Sequence, residues 1–529
     1  MSPLTFIFGI PLLMALALVF VPADRRGWFR AGAMGATLVS LLLAAGVFNA
    51  FDQAPAGPGT FADLGTPADN PLGVPMVNAN PLELEYGFKF TQQAEWIPSL
   101  GISYHVGVDG INVGLVLMAA LVAFAAACCA RDIQRREKEF YILLLLMSGG
   151  ILGSFVSLDL FSMYILHEFA LVPTFIMIGV WGRGEDRNYA TFKITLYLSL
   201  GALLALAGIL GLYFAMGQSF NLLDIYKSIG ANDFETGALP LVLPLLILGF
   251  GVLVSLWPFH TWAPLGYGSA PTATAMMHAG VIKKFGLYGL IRIVLPMTEQ
   301  FPEANWWLEL MLWLAVGNIL FCGLVALRQK DLNWIIGNSS VAHMGFVFIG
   351  IASVNLIGVT GAVTVMIAHG LLAALAFGLT GHIHWQVGTL DTDRLGGLLR
   401  AMPFIGSALL MALLAGCGLP GFANFVGELT VFFGAWQAGH HTAVVITVWS
   451  ALVIGAVYML RAVRNVLHGP ECELESTPKD ASGFCAKLPY ALLLAALLLF
   501  GFWPRLLTDK ISASAQKIVP AQSQQTAHR

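Results

Sequence analysis

The sequence predicts an all-α, polytopic membrane protein with about fourteen transmembrane helices. Apolar residues make up 57% of its 529 positions, charged residues only 11%, and the mean hydropathy is +0.77. Soluble globular domains carry about 45–50% apolar and about 25% charged residues, so the composition excludes a water-soluble enzyme of this length. A net charge of −3 without a basic tract also excludes nucleic acid as a partner.

Fourteen apolar stretches are long enough to cross a bilayer as helices, which takes about 20 residues each. They fall at about 4–21, 30–49, 109–130, 139–157, 159–181, 192–216, 239–257, 270–297, 306–327, 334–353, 358–386, 402–437, 442–465 and 488–507. The first stretch precedes the nearest basic residues, Arg25 and Arg26, which is the reverse of the order in a cleaved signal peptide. We therefore expect it to be retained as the first helix.

The basic residues between the stretches indicate the orientation. Segments 22–29 and 131–138, and every second segment after them, hold or adjoin 18 of the 27 Lys and Arg residues. The segment 50–108 carries six acids and only Lys89. Because an excess of Lys and Arg marks the cytoplasmic face, both termini are expected outside the cytoplasm. The segment 50–108 is then expected to be a folded loop that caps the outer face.

Two of the apolar stretches contain helix-breaking sequences. The stretch 402–437 would be about 54 Å long as one helix, far beyond a hydrocarbon core of about 30 Å, and it contains Gly-Leu-Pro-Gly at 418–421. The other interruption follows the seventh stretch at Pro258 and Pro264. Two interruptions in corresponding halves of a chain indicate a transporter with inverted repeats and a site near the midplane. The alternative is a pair of kinks that only help packing.

Ionisable residues inside the spans are the candidates for function, because each costs roughly 2.5–3.5 kcal/mol to insert. They are Glu168, Lys283, Lys284, His343, His369 and Glu428. Adjacent lysines point about 100° apart on a helix, so we expect one to enter the bundle and the other to meet a neighbouring helix or snorkel. Imidazoles at mid-span can pass a proton near neutral pH. Asp159 is expected to cap the fifth helix, and Arg292 to anchor or pair at the end of the eighth.

Each candidate also has a structural interpretation. Glu168 would be a protonated carboxyl bonded to another helix, Glu428 a carboxylate that caps backbone opened by Pro420, and each histidine a hydrogen-bonded core residue. Secondary candidates are Lys193, which would otherwise be an interfacial anchor, His167 and His278. Acids, lysines and histidines in one bundle, without a metal, redox or nucleotide motif, favour a relay that moves protons.

Several stretches of the chain resemble one family closely. They are residues 101–110, residues 157–161 running into Glu168 and Pro173, residues 270–272, the segment from Lys284 to Arg292, residues 339–345, residues 368–370 and residues 418–428. Together they cover most of 101–440. They resemble the antiporter-like M subunit, or chain 4, of proton-pumping NADH:quinone oxidoreductase, respiratory complex I.

This resemblance implies two inverted five-helix repeats with interrupted helices 7 and 12. It divides the chain into two N-terminal helices (1–49), the outer loop (50–108), two repeat regions (109–300 and 301–465), and a section with the last helix and a short tail (466–529). It implies a bacterial inner membrane protein that binds no metal or cofactor itself. NADH, FMN, iron–sulfur clusters and quinone would belong to partner subunits, among them neighbouring antiporter-like subunits, and quinone reduction there would drive proton translocation here.

The resemblance also implies roles for the candidate residues. By motif position, Glu168 is similar to the family's helix-5 glutamate, Lys284 to its helix-8 lysine and Glu428 to its helix-12 glutamate, while His343 and His369 match its connecting histidines. Glu168 would modulate a lysine, the histidines and Lys284 would join two half-channels, and Glu428 would lead to the outer side.

One departure from the family pattern concerns the partner of Glu168. The family has a lysine on helix 7, five residues before the proline of Pro-x-His, and this chain has Leu253 there. We expect Lys283, His167 or His278 to supply the missing group. Two other functions stay open at this point: a subunit of a cation/proton antiporter or membrane-bound hydrogenase, and a membrane scaffold with impaired proton input.

Overall fold

The computed structural model describes residues 1–64, 80–231, 237, 239–298, 300–301, 303–470 and 478–519. Parts of the predicted outer loop (65–79) and of the predicted last section (471–477 and 520–529) thus lie outside the described residues. Helices dominate, which confirms the predicted helical membrane class. Their bounds are α1 Pro3–Val19, α2 Arg26–Ala50, α3 Pro81–Tyr86, α4 Asn112–Cys129, α5 Glu137–Val156, α6 Leu160–Trp181, α7 Arg187–Ala215, α8 Leu222–Ala231, α9 Leu239–Val254, α10 Trp262–Ser269, α11 Thr272–Met277, α12 Lys284–Gly289, α13 Leu295–Met297, α14 Glu303–Arg328, α15 Leu332–Ala352, α16 Leu356–Val387, α17 Leu398–Ala401, α18 Pro403–Gly416, α19 Ala423–Gln437, α20 His441–Trp449, α21 Ala456–Ala462, α22 Phe484–Phe502 and α23 Arg505–Ala515.

Ten helices among the described residues are long and apolar enough to cross a membrane. Three further apolar helices, α1, α9 and α18, have 17, 16 and 14 residues. Such helices can lie in hydrocarbon for two reasons: their side chains are apolar, and their backbone polar groups bond within the helix. The exact count of fourteen spans and the inverted relation of two halves stay predictions.

Each helix-breaking sequence lies in a gap between two helices. α9, in the seventh stretch, ends at Val254, and α10 begins at Trp262. The stretch 402–437 is divided between α18 and α19, with Gly416 and Ala423 as the facing ends. That these gaps interrupt the seventh and twelfth membrane-crossing helices stays a prediction.

Short polar side chains fix the starts of the helices that carry the site. Asp159 accepts a hydrogen bond from Ser162 N at 2.8 Å at the start of α6, which confirms the predicted cap. Asp331 accepts one from Trp334 N at 3.1 Å before α15. Asn355 does the same for α16, so the registers of α6, α15 and α16 are set at their first turns.

The segment after α2 contains a small sheet that the all-α prediction did not include. Its strands are β1 Gly57–Pro58, β2 Lys89–Ile97 and β3 Ile102–Val108, in the order β1-β2-β3. β1 is parallel to β2, and β2 is antiparallel to β3. The tight turn between β2 and β3 contains Gly101 at φ 65°, a conformation that glycine adopts without strain. The prediction treated the whole hydrophilic segment as a loop and missed the alternation of apolar and polar residues from Ile102 to Val108 in β3.

The helices that face the candidate residues form the centre of the bundle. The most apolar parts of α15 and α16 are completely buried, and α15 packs between α14 and α16. The chain from Thr272 to Met297 is helical throughout, and it contains two π-helical turns, His278–Ile282 and Leu290–Val294. A π turn inserts one residue into the helical repeat and rotates the side chains that follow it.

Candidate proton-transfer site

Both adjacent lysines lie inside the protein. The exposed fraction is 1% for Lys283 and 0% for Lys284, so neither snorkels to a membrane surface. The π turn before them widens the helix, as Lys283 N bonds to the carbonyl of His278, five residues earlier. Lys283 Nζ reaches the neighbouring helix α15, where the carbonyl oxygen of Ser340 is 3.5 Å away. We expected one of the two lysines to meet a neighbouring helix or to snorkel, and Lys283 meets a neighbouring helix.

The other lysine connects its own helix to α16. Lys284 Nζ donates to the carbonyl oxygen of Ala279 at 2.6 Å and lies 3.0 Å from His369 Nδ1. An ammonium can only donate, so His369 Nδ1 accepts when Lys284 is charged. In that state the lysine and the imidazole share one hydrogen bond along which a proton can move.

His343, on α15, lies between His369 on α16 and Glu428 on α19. Its ring centroid is 5.3 Å from that of His369, and its Nδ1 lies 2.7 Å from the carbonyl oxygen of Ser339. A carbonyl only accepts, so Nδ1 carries the hydrogen and a neutral His343 presents a lone pair at Nε2. That Nε2 is 3.4 Å from Glu428 Oε1, and Oε1 makes no hydrogen bond among the described residues. The His343 ring also contacts the backbone of Gly416. A proton can pass between His343 and Glu428 when the carboxyl group turns to close this distance.

Glu428 lies against the gap between α18 and α19. Gly418 in this gap has φ 68°, and a Cβ built there would be 2.9 Å from Glu428 Oε2. A side chain at Gly418 would thus meet the carboxylate directly. Glu428 also borders a cavity of about 240 Å³ that His343, Cys417 and Tyr458 help to line. The cavity gives the carboxylate space to change its orientation.

The group around Glu168 is separate from this line. Its Oε1 lies 3.7 Å from His167 Nδ1, and neither atom has a hydrogen-bond partner among the described residues. The His167 ring stacks on Phe285, one residue after Lys284, with centroids 3.7 Å apart. Leu253 is buried in α9 and packs against Gly201 of α7. At the position of the expected lysine there is accordingly an apolar contact, and the groups beside Glu168 are the His167 ring and the Tyr164 hydroxyl, which hydrogen-bonds to the carboxylate.

His278 lies between the two groups. Its ring is 5.5 Å from that of Trp262 and 5.6 Å from that of Tyr267, and neither ring nitrogen has a partner among the described residues. His167, Lys283 and Lys284 are close enough to act on it electrostatically. Lys193 lies apart, half-buried on α7 above the Tyr189 ring.

Arg292, near the end of the helical segment that carries both lysines, forms a buried ion pair that the sequence did not identify. Arg292 binds Asp109 through two hydrogen bonds, one of them 2.8 Å from Nη1 to Oδ2. Asp109 also caps the start of α4, where it accepts from Ile111 N and Asn112 N. The sequence left anchoring or pairing open for Arg292, and the structure identifies pairing. Both partners lie in stretches that carry the family resemblance, Asp109 in residues 101–110 and Arg292 at the end of the segment from Lys284, and the resemblance was therefore the signal that marked them.

The chain is similar to known proteins over most of its length. The family described as NADH:quinone oxidoreductase/Mrp antiporter, transmembrane, matches residues 157–454. Chain 4 1 of the NAD(P)H-quinone oxidoreductase of Picosynechococcus sp. is 33% identical over 80% of this chain and 79% of its own length. Subunit M of the NADH-quinone oxidoreductase of Rickettsia prowazekii is 31% identical over 82% of this chain and 87% of its own length.

Solved structures match the whole fold. A chain of respiratory complex I from Thermus thermophilus has a TM-score of 0.80 and 27% identity, covering 98% of this chain and 99% of that one. A chain of the Mrp complex from Dietzia sp. also has a TM-score of 0.80, but at 19% identity it shows the fold alone. On the matched motifs, the identity and the coverage, the chain belongs to the family of M subunits (chain 4) of NADH-quinone oxidoreductase, the antiporter-like membrane subunits of respiratory complex I.

Proposed function

We propose that protons cross the second half of this antiporter-like subunit along the line Lys284, His369, His343 and Glu428. The observation that carries the proposal is the order of these groups: Lys284 Nζ lies 3.0 Å from His369 Nδ1, the centroids of the two imidazole rings are 5.3 Å apart, and His343 Nε2 lies 3.4 Å from Glu428 Oε1. The first contact is a hydrogen bond, and the other two are close approaches. Each group exists in two protonation states, and in a low-dielectric bundle the state of one strongly biases the next. The line can therefore pass a proton stepwise.

The chain is one membrane subunit of a translocase, and its part is to move protons. Electron transfer would take place in partner subunits that carry NADH, FMN, iron–sulfur clusters and quinone, in a bacterial inner membrane. The distribution of Lys and Arg supports an orientation with both termini outside the cytoplasm. In that orientation Glu428 is the last ionisable group of the line before the outer side.

The input to Lys284 would run through groups that replace the absent helix-7 lysine. His167 lies beside Glu168, and it stacks on the residue next to Lys284. His278, whose two ring nitrogens have no partner among the described residues, lies within electrostatic reach of His167 and both lysines. This arrangement supports an input from Glu168 through His167 and His278 to the lysine pair. Lys193 would act at most as a remote charge at the start of α7.

The experiment that tests the line removes the titratable group at its end. Glu428→Gln keeps the size of the side chain but cannot ionise, and we expect fewer protons pumped per electron in the assembled complex in vesicles. The matched control is Glu309→Gln, because Glu309 is 46% exposed and its contacts are Trp313 on its own helix and the His440 ring, 3.3 Å away. Unchanged pumping in Glu428→Gln, or an equal loss in both variants, would contradict the proposal.

A further inference from the structure

A second charged site, which shares no residue with the proton line, lies where the last helices meet the sheet. A cavity of about 610 Å³ opens between β2, the chain after α2, and α23. We call it the C-terminal basic pocket; the residues that define it are Phe51, Asp52, Lys89, Arg505, Lys510 and Lys517. Among the residues that the structure describes, its lining contains four cationic side chains and two carboxylates, Asp52 and Asp509.

The internal contacts of the pocket leave positive charge uncompensated. Lys510 pairs with Asp52. Lys89 Nζ instead donates to the carbonyl oxygen of Phe51 at 2.6 Å, and Lys517 Nζ to that of Glu85 at 2.8 Å. The pKa of Lys89 lies below its ordinary value, mainly because of burial, and also because of repulsion from Lys510 and Lys517, which Asp52 partly offsets. A negatively charged ligand in the pocket would relieve this repulsion among the three lysines.

The surroundings of the pocket are typical of a membrane edge. The last apolar helix, α22, ends at Phe502, and Phe502 and Trp503 are 64% and 63% exposed. Tryptophan beside a helix end is characteristic of the membrane–water interface. In the most apolar 18-residue part of α22, 28% is buried within the described chain. The outer surface of this helix is therefore free to contact acyl chains. After it, α23 buries Leu507 and Ile511 against the bundle and presents its cations to the pocket.

We propose that the C-terminal basic pocket binds the phosphate headgroup of an anionic phospholipid whose acyl chains lie along α22. Ammonium and guanidinium groups are the usual protein partners of phosphate, and clusters of Lys and Arg beside a transmembrane helix attract anionic lipid headgroups. The excess of two positive charges at a membrane edge matches an anionic lipid and disfavours a zwitterionic one. The exposed aromatic residues beside it match the glycerol region between headgroup and acyl chains.

The test uses the purified complex after delipidation, with phosphatidylglycerol, phosphatidylcholine and inorganic phosphate as probes. Lys517→Gln should weaken phosphatidylglycerol binding about 5-fold, and Arg505→Gln with Lys517→Gln about 30-fold, from the usual contribution of one cation near an anionic headgroup. Both side chains are exposed, so the fold is expected to persist. The control is Lys227→Gln, an exposed lysine on α8 outside the pocket, which should leave binding unchanged.

Each contrary outcome has a distinct meaning. Equal binding of phosphatidylglycerol and phosphatidylcholine, or unchanged binding in the double variant, would overturn the proposal. Binding of inorganic phosphate as tight as that of the lipid would replace it with a phosphate site. Loss of a neighbouring subunit from the double variant, at unchanged lipid content, would identify a protein contact instead. None of these results bears on the proton line, because pumping is measured separately.

Discussion

The buried pair of Asp109 and Arg292 should contribute strongly to the stability of this subunit. Asp109→Asn is the informative change, because the amide oxygen can still accept from Ile111 N and Asn112 N at the start of α4. What the variant removes is the negative charge beside Arg292. The guanidinium is 1% exposed and would then lack its counter-ion.

The size of the effect follows from this burial. A buried charge that loses its partner costs about 3–5 kcal/mol. Arg292 lies 5.1 Å from the Tyr288 ring and 5.4 Å from the Phe88 ring, and these cation–π contacts persist in the variant. We therefore expect a value near the lower limit, about 3 kcal/mol. An exposed pair such as Lys330 with Asp393 contributes about 0–1 kcal/mol.

The assay heats the purified complex and measures, at each temperature, the fraction of this chain that stays in the complex. The midpoint of that unfolding curve is the quantity compared. Asp109→Asn should lower the midpoint clearly more than the control Asp393→Asn. Adding Arg292→Leu to Asp109→Asn removes the unpaired charge and should restore much of the loss, which a double-mutant cycle would report as coupling. Equal midpoints for Asp109→Asn and Asp393→Asn, or purely additive losses in the cycle, would refute the reasoning.

Two further predictions concern the proton line. Gly418→Ala should reduce pumping because its Cβ meets the Glu428 carboxylate, whereas Gly388→Ala, at φ 79° with open space around it, should carry a similar backbone strain of about 1–2 kcal/mol and leave pumping intact; equal pumping in the two would contradict this role of Gly418. Apolar replacement of Lys283, His167 and His278 one at a time should lower the protons pumped per electron in at least one variant. If all three pump normally, and Glu168→Gln does too, the chain acts mainly as a membrane scaffold.

The helical membrane class could be predicted because it depends on composition and on local patterns. Apolar stretches of about 20 residues leave few alternatives to a transmembrane helix, and Asp159 as a cap requires only a neighbouring apolar run. Glu428 and Lys284 were recognisable because an ionisable residue within such a run is rare. In each case the signal lies within one short window of sequence.

The contacts between the candidates could not be predicted in the same way. Lys284 and His369 are 85 residues apart, and Asp109 and Arg292 are 183 residues apart, so no single window contains both partners. The periodicity argument for the two lysines assumed a regular repeat of 3.6 residues, and the π turn His278–Ile282 alters that repeat immediately before them. The small sheet escaped prediction because its strands belong to one hydrophilic segment that was assigned as a loop, although β3 alternates apolar and polar residues from Ile102 to Val108.

The departure at Leu253 limits where this subunit can differ from its relatives. Leu253 packs against Gly201, on the side of the bundle that carries Glu168, and none of the contacts from Lys284 to Glu428 involves it. On the proposed line, a leucine there would change the input to the central lysines, whereas the output from Lys284 to Glu428 would keep all its groups. Proton uptake, rather than release, is therefore the step in which we expect this subunit to behave differently, and we expect the ring nitrogens of His167 and His278 that have no partner among the described residues to take it over.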